Sequence, residues 1–260
     1  MVRTACGRRT LYGDRTSYAR HTLCDVKEPF PSVWARPHAE RREQPALSRR
    51  QIVAAALELL DAEGIDALSM RKLGTRLNAG ATSMYTHVAN KDELIELVVD
   101  EVYGEIEVPP AGGGEGWRAA AFTCAGSMRA TLLRHPWIVS VQGEAGVAYL
   151  GPNVLRFSES LLGVFEGGGF SLEAADRALN TLTAYVLGYA TSEAAWLTTL
   201  RRSGLSEGEW TERLWPVAEE AVRAYPRLRT LYAAQRHEDR DRDFAEGLEC
   251  VLDGLVARLK

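Results

Sequence analysis

From Leu47 onward, apolar residues recur at helical spacing almost to the end of the chain. In "LSRRQIVAAALELLDAEG" the positions Ile52, Val53, Ala56, Leu57, Leu59 and Leu60 form one broad stripe, which predicts a helix. Ser48 and Gln51 have the spacing of a capping box, and Gly64 is the natural residue to end the helix. A second helix is expected from Ser69. Leu73 and Leu77 share its face, and Asn78 with Gly80 breaks it. The third segment, Ala81 to Val88, has only two inward positions one turn apart, Met84 and Val88. Asn90, followed three residues on by Glu93, caps a fourth helix through "DELIELVVDEVYGEI". Two short helices across a tight turn, braced by a longer helix on each side, make a helix-turn-helix arrangement.

"PPAGGGEG", Pro109 to Gly116, punctuates the chain after the fourth helix. Further helices are expected near residues 117–133, 152–166, 172–200, 208–225 and 240–259. The fold class is therefore all-α, with a head over 45–92 and a larger helical body over 93–260. Two stripes in the body suit association: Leu179, Leu182, Val186, Tyr189 and Ala190, and then Phe244, Leu248, Val251, Leu252 and Leu255. Paired across a two-fold axis they would make a four-helix interface, and in one chain they would complete a core. Periodicity leaves both readings open.

Residues 1–44 have no periodicity and mix Arg, His, Pro and Gly, which predicts a disordered basic extension. It reads as a solvated tail, a start codon placed too early, or an arm that touches DNA. The charge runs in a gradient under a net −4: nine Lys/Arg against five Asp/Glu in 1–44, six against four in 45–91, and 16 against 26 in 92–260. A basic front on an acidic body suits a nucleic-acid-facing end and a separate ligand or partner end. Cys6, Cys24, Cys124 and Cys250 show no metal or disulfide spacing and are expected to be reduced, as in a cytoplasmic protein. The first residues lack the apolar core of a secretory signal, and no apolar run is long enough to span a membrane.

The polar face of the third segment carries Thr82, Ser83, Thr86 and His87 with Tyr85 at its edge. Such groups can bond phosphates and base edges, and threonine methyls can meet thymine methyls. Arg49, Arg71, Lys72 and Lys91 flank it and could neutralise phosphates. The bland alternative is a short connector with a solvated face. An enzyme is not expected. The five histidines are scattered, and "FEGGGF" lacks both the Lys-Ser/Thr ending and the preceding strand of a phosphate loop. No cofactor and no metal site are predicted.

Ile52 to Tyr103 resembles the DNA-binding domain of the tetracycline-repressor (TetR) family, most specifically in Tyr85-Thr86-His87-Val88-Ala89-Asn90-Lys91 and Leu94. "GWRAAAFTCAGSMRATLLRHPWIVSVQG", "FEGGGFSLEAADRALNTLTAYVLGYATSE" and "FAEGLECVLDGLVARL" are similar, more loosely, to the body of the tetracycline repressor's own subgroup. The resemblance implies a homodimeric regulator, by default a repressor, released from a palindromic double-stranded operator by a small molecule. Arg71, Ala81, Thr82, Ser83, Tyr85, Thr86, His87 and Lys91 then match positions that face DNA. An activator of the same fold, or a sensor that has lost specific DNA binding, remains the alternative. Effector contacts are expected among Trp117, Phe122, Trp137, Phe157, Phe165, Tyr185 and Trp196, with His135, Gln142, Asn153 and Asn180 as polar candidates. Gln142 stands where the tetracycline repressor has a histidine that helps to bind the drug's magnesium. The expected effector is therefore not magnesium–tetracycline.

Overall fold

The computed structural model describes residues 47–112, 116–142, 150–234 and 239–257, and the expected basic extension over 1–44 lies outside them. Helix α1 (Arg49–Glu63) begins as its cap predicts: the Ser48 hydroxyl accepts from the Gln51 N–H, and the Gln51 side chain accepts from the Ser48 N–H. Gly64 ends it at φ +81°, a left-handed value that favours glycine. Helix α2 (Met70–Arg76) starts at Ser69, whose hydroxyl accepts from the Lys72 N–H, and stops at Asn78, φ +49°. Helix α3 spans only Ala81–Tyr85, and Thr86 and His87 continue as a turn. Helix α4 (Lys91–Tyr103) is capped by Asn90, and Glu93 reaches back to the Ala89 N–H, one residue earlier than a capping box would place it. Between α1 and α2 a single 3₁₀ turn, Ile65–Ala67, escapes the periodicity.

The body holds α5 (Gly116–Arg134), α6 (Ile138–Gln142), α7 (Pro152–Gly167), α8 (Leu172–Ser203), α9 (Glu207–Ala221), α10 (Pro226–Ala234) and α11 (Arg240–Val256). The 32 residues of α8, about 48 Å of helix, form the spine against which α5, α7 and α11 pack. Helix α4 packs on α1 at one side and on α7 at the other, so it belongs to both head and body. No strand occurs among the described residues.

Three expectations change. The helix expected over 208–225 stops four residues short, and a separate helix follows over 226–234, where none is expected. Helix α9 ends at Ala221, Tyr225 precedes a proline and is disfavoured in the α conformation, and Pro226 opens α10. Periodicity does not predict helix α6, because five residues are too few to show a period. The two association stripes are largely one chain's core: Leu182, Val186 and Ala190 of α8 and Phe244, Leu248 and Leu252 of α11 are all buried within the single chain. That face is sealed by α8, α5 and α11 themselves. At the far side of α8, Ala184, Gly188, Thr191 and Ala195 are exposed.

Candidate DNA-binding surface and effector contacts

Helix α3 is held from beneath. Met84 and Val88 have no exposed surface and pack into the core of the head, as the sequence predicts. The turn before α3 is tight because position 74 is glycine: a Cβ there would lie 2.9 Å from the Ala79 carbonyl oxygen and 3.8 Å from Met84 Cγ. With the underside fixed, Thr82, Tyr85 and Thr86 point to solvent, and Tyr85 is 52% exposed. Ser83 and His87 are half-buried. The Thr86 hydroxyl donates to the Ser83 carbonyl at 2.6 Å, which directs its oxygen to the backbone. Ala81 is the first residue of α3, and its side chain lies outside the described set.

The cations divide. Arg71 is exposed on α2 and lines a groove with Thr75, Asn78 and Gly80 beside the turn. Lys72 is exposed too and pairs with Glu63. Lys91 opens α4, and its ammonium donates to the Ile65 carbonyl at 3.4 Å. Arg49 stands elsewhere. It lines a recess between α1 and α4 with Leu97, Asp100 and Glu101. Glu101 is ten residues, about 15 Å, along α4 from Lys91, so Arg49 does not join the α2–α3 surface.

The expected effector contacts do not converge. Trp117 and Phe122 of α5 line an open cleft of about 1070 Å³ with Arg118, Gly168, Glu249 and Val256. Trp117 itself is buried and packs edge-on against Phe170. Phe157 is buried against Tyr103, and Phe165 against Trp117 and Phe170. Tyr185 stacks on Phe244 and donates its hydroxyl to the Phe244 carbonyl at 2.7 Å; burial pushes its phenol above the ordinary value. Asn180 is exposed on α8 and bonds the Asp176 carbonyl of its own helix, so it faces away from the core. Trp196 pairs edge-on with Trp210 and donates to Glu207. Asn153 bonds Asp100. The Gln142 side chain lies outside the described residues. Among the described residues, no group of His, Cys, Asp and Glu is arranged to hold a metal ion.

Two expected effector contacts are committed to the head. Trp137 Nε1 donates to Asp61 Oδ1 at 2.8 Å, and His135 Nδ1 lies 2.7 Å from the same oxygen. Asp61 is a residue that sequence reasoning missed. It reads as a solvated acid on the back of α1, and nothing local points to a partner 74 residues away.

A head of this form on an all-α body defines a helix-turn-helix regulator, and comparison places it. Residues 52–98 match the model of the bacterial regulatory proteins, tetR family, and residues 109–259 match that of the tetracyclin repressor-like C-terminal domain. The chain belongs to the tetR family of transcriptional regulators. It is 38% identical over 165 residues to an HTH-type transcriptional regulator of Saccharopolyspora erythraea, covering 64% of this chain and 69% of that one. It is 33% identical over 236 residues to the HTH-type transcriptional repressor DrrR1 of Streptomyces coeruleorubidus, covering 89% and 86%. Among solved structures, the TetR family protein ActR of Streptomyces coelicolor in complex with actinorhodin superimposes with a TM-score of 0.71 at 32% identity, covering 82% of this chain and 97% of that one.

Proposed function

We propose that the chain is a cytoplasmic repressor. Its homodimer holds two α3 helices in successive major grooves of a palindromic operator, and a small molecule in the body releases it. The observation that carries this reading is the two-sided α3: Met84 and Val88 wholly buried, Thr82, Tyr85 and Thr86 presented to solvent. Ala81, Thr82, Ser83, Tyr85, Thr86 and His87 are the residues for bases and nearby phosphates, and Arg71, Lys72 and Lys91 are the phosphate contacts. One five-residue helix reads only a few base pairs, so a two-fold pair is needed for a specific site.

The effector works through α4, which packs on α1 and on α7. A coupling of about 1–3 kcal/mol lowers operator affinity roughly 5–150-fold. Of the expected contacts, Trp117 and Phe122 are the pair brought to one cleft, and they are the first to test as effector contacts. Gln142 in place of a metal-binding histidine supports an effector taken up without magnesium. Actinorhodin, bound by a relative, is a better first probe than magnesium–tetracycline.

The test is selection of bound duplexes from a random pool by the full chain at near-physiological salt. A palindrome with half-sites about one helical turn apart is the expected product. Retention that is weak, sequence-blind and steeply salt-dependent would leave only charge binding and overturn the reading.

A further inference from the structure

Operator recognition leaves unused a set of polar groups where the head meets the body. Helix α5 ends at Arg134, and Pro136 blocks its continuation, so His135 and Trp137 flank a sharp corner. Both aim at Asp61 in the last turn of α1: Trp137 Nε1 at 2.8 Å and His135 Nδ1 at 2.7 Å, on the same oxygen. The opposite edge of the imidazole meets the stretch that follows α4, with His135 Nε2 3.3 Å from both carboxylate oxygens of Glu105. Arg134 Nη2 closes the group at 2.7 Å from Glu105 Oε2. The His135 side chain is 7% exposed and Trp137 4%, whereas the Asp61 and Glu105 side chains remain about a third exposed, at 33% and 34%.

A buried imidazole needs a partner at each ring nitrogen, and here the two come from different elements, Asp61 of α1 and Glu105 after α4. The ring bridges two elements that must keep a fixed angle if two heads are to meet two half-sites. A head joined to its body through one helix alone can pivot about that helix. A second, polar attachment at the end of α1 removes the pivot, because the hydrogen bonds of the buried His135 and Trp137 side chains are directional and costly to leave unmade.

We propose that the His135-Pro136-Trp137 corner is a clasp that sets the angle of the DNA-reading head on the body. Asp61, His135 and Trp137 act in it as positioning residues. The inference rests on the operator reading above, since the angle has a consequence for DNA only through the spacing of two heads.

Two measurements separate it from that reading. The first uses the palindrome that wild type selects, with its half-sites set at the selected spacing and one or two base pairs closer or further apart. Each base pair turns one half-site by about 34–36° and moves it about 3.4 Å along the duplex. Wild type is expected to lose at least about tenfold in affinity per base pair. Trp137→Phe and Asp61→Ala are expected to bind the selected spacing within about threefold of wild type, but to lose less than about threefold at one base pair off. Folded, dimeric variants with the wild-type spacing penalty would overturn the clasp.

The second measurement needs no DNA. Spin labels are placed at Thr82→Cys on the head and Asp176→Cys on the body, in a background with the four native cysteines replaced by alanine. Labelled chains are diluted into unlabelled protein. The head-to-body distance distribution is expected to broaden in Trp137→Phe and Asp61→Ala. An equally narrow distribution in both variants would overturn the clasp whatever the DNA does. If wild type selected no palindrome while the distribution still broadened, the operator reading would fail and the clasp would stand.

Discussion

Asp100 of α4 holds Asn153 of α7 from two directions. Its Oδ1 accepts the Asn153 backbone N–H at 2.9 Å and its Oδ2 accepts the Asn153 side-chain amide at 3.0 Å. Oδ1 also accepts the Val154 N–H at 3.0 Å, so one buried carboxylate serves the first turn of a 16-residue helix whose own cap position is Gly151 and supplies no side chain. A helix N-terminus carries unsatisfied donors and a partial positive charge, and a carboxylate answers both. The helix that carries the head packs on α1, and it is fastened to the body through Asp100, near its C-terminal end.

Asp100→Ala should therefore destabilise the whole chain, because it leaves the first donors of α7 buried without an acceptor. About 2–4 kcal/mol is expected in urea unfolding, from the loss of hydrogen bonds to a charged group. Gly151→Ala should move stability in the same direction, since a Cβ there would overlap the Asp100 carboxylate. An unchanged midpoint in both variants would mean that water replaces the cap at no cost.

Tyr85→Ala should abolish operator retention and leave the unfolding midpoint and the dimer mass unchanged. The ring is half exposed at the edge of α3, and it is not among the wholly buried side chains of the head's core. Gly74→Ala makes the opposite test. Its methyl would press on the Ala79 carbonyl at 2.9 Å, so both head stability and operator binding should fall together. If Tyr85→Ala dissociated the dimer instead, the separation of a reading head from an associating body would be wrong.

Arg129 of α5 meets Glu193 of α8 through two bonds of 2.7 Å, with side chains 12% and 8% exposed, and reaches Asp241 of α11 at 2.8 Å. Hydrogen bonding to Glu193, then the pull of Asp241, holds the guanidinium more firmly protonated than usual, against the cost of burial. Glu193→Gln should cost about 3–5 kcal/mol in equilibrium unfolding, because it removes the buried partner of a buried guanidinium. A smaller loss would show that Asp241, which already bonds the guanidinium from an 88% exposed position, suffices alone.

Cys124 and Cys250 should differ in alkylation. Burial pushes the Cys124 thiol up to about 12, so at pH 8 only roughly one molecule in ten thousand carries its thiolate. Cys250 is exposed on α11. Mass mapping after brief iodoacetamide treatment of the native chain is expected to find Cys250 modified and Cys124 free until the chain is unfolded. Rapid labelling of Cys124 would reveal an opening of the core between α5 and its neighbours.

The head was legible because its signals are local. Ser48, Ser69 and Asn90 announce three helix starts, Gly64 and Asn78 two stops, and each acts within four residues of itself. The body was legible as helices but not as a site. Residue type alone groups Trp137, Tyr185 and Asn180, yet one bonds the head, one stacks on α11 and one faces solvent. Which side of a helix faces its own core and which faces a partner also escapes a single sequence. Both sides of α8 carry small or apolar residues, and only packing with α5 and α11 decides.

That decision directs the test of association. The outward side of α8 carries Ala184, Gly188, Thr191 and Ala195, and a Cβ built at Gly188 meets nothing within 4 Å. Gly254, on α11, is equally open. Small residues let helices approach closely, so a two-fold contact through α8 and α11 would pack here rather than on the buried Leu182–Val186 side. Within one chain Gly188→Arg has room, and arginine favours a helix over glycine by roughly 0.5–1 kcal/mol, so the fold should be kept or slightly strengthened. In a two-fold dimer packed through this face, each subunit would bring an arginine to the contact, and like charges would oppose each other there. Sedimentation velocity at micromolar concentration should show a folded monomer whose operator affinity falls at least about a hundredfold, because each half-site is then bound alone. A variant that stays dimeric would move the interface to another face, and the exposed Leu214, Val217, Leu228 and Leu231 of α9 and α10 would be the next surface to charge.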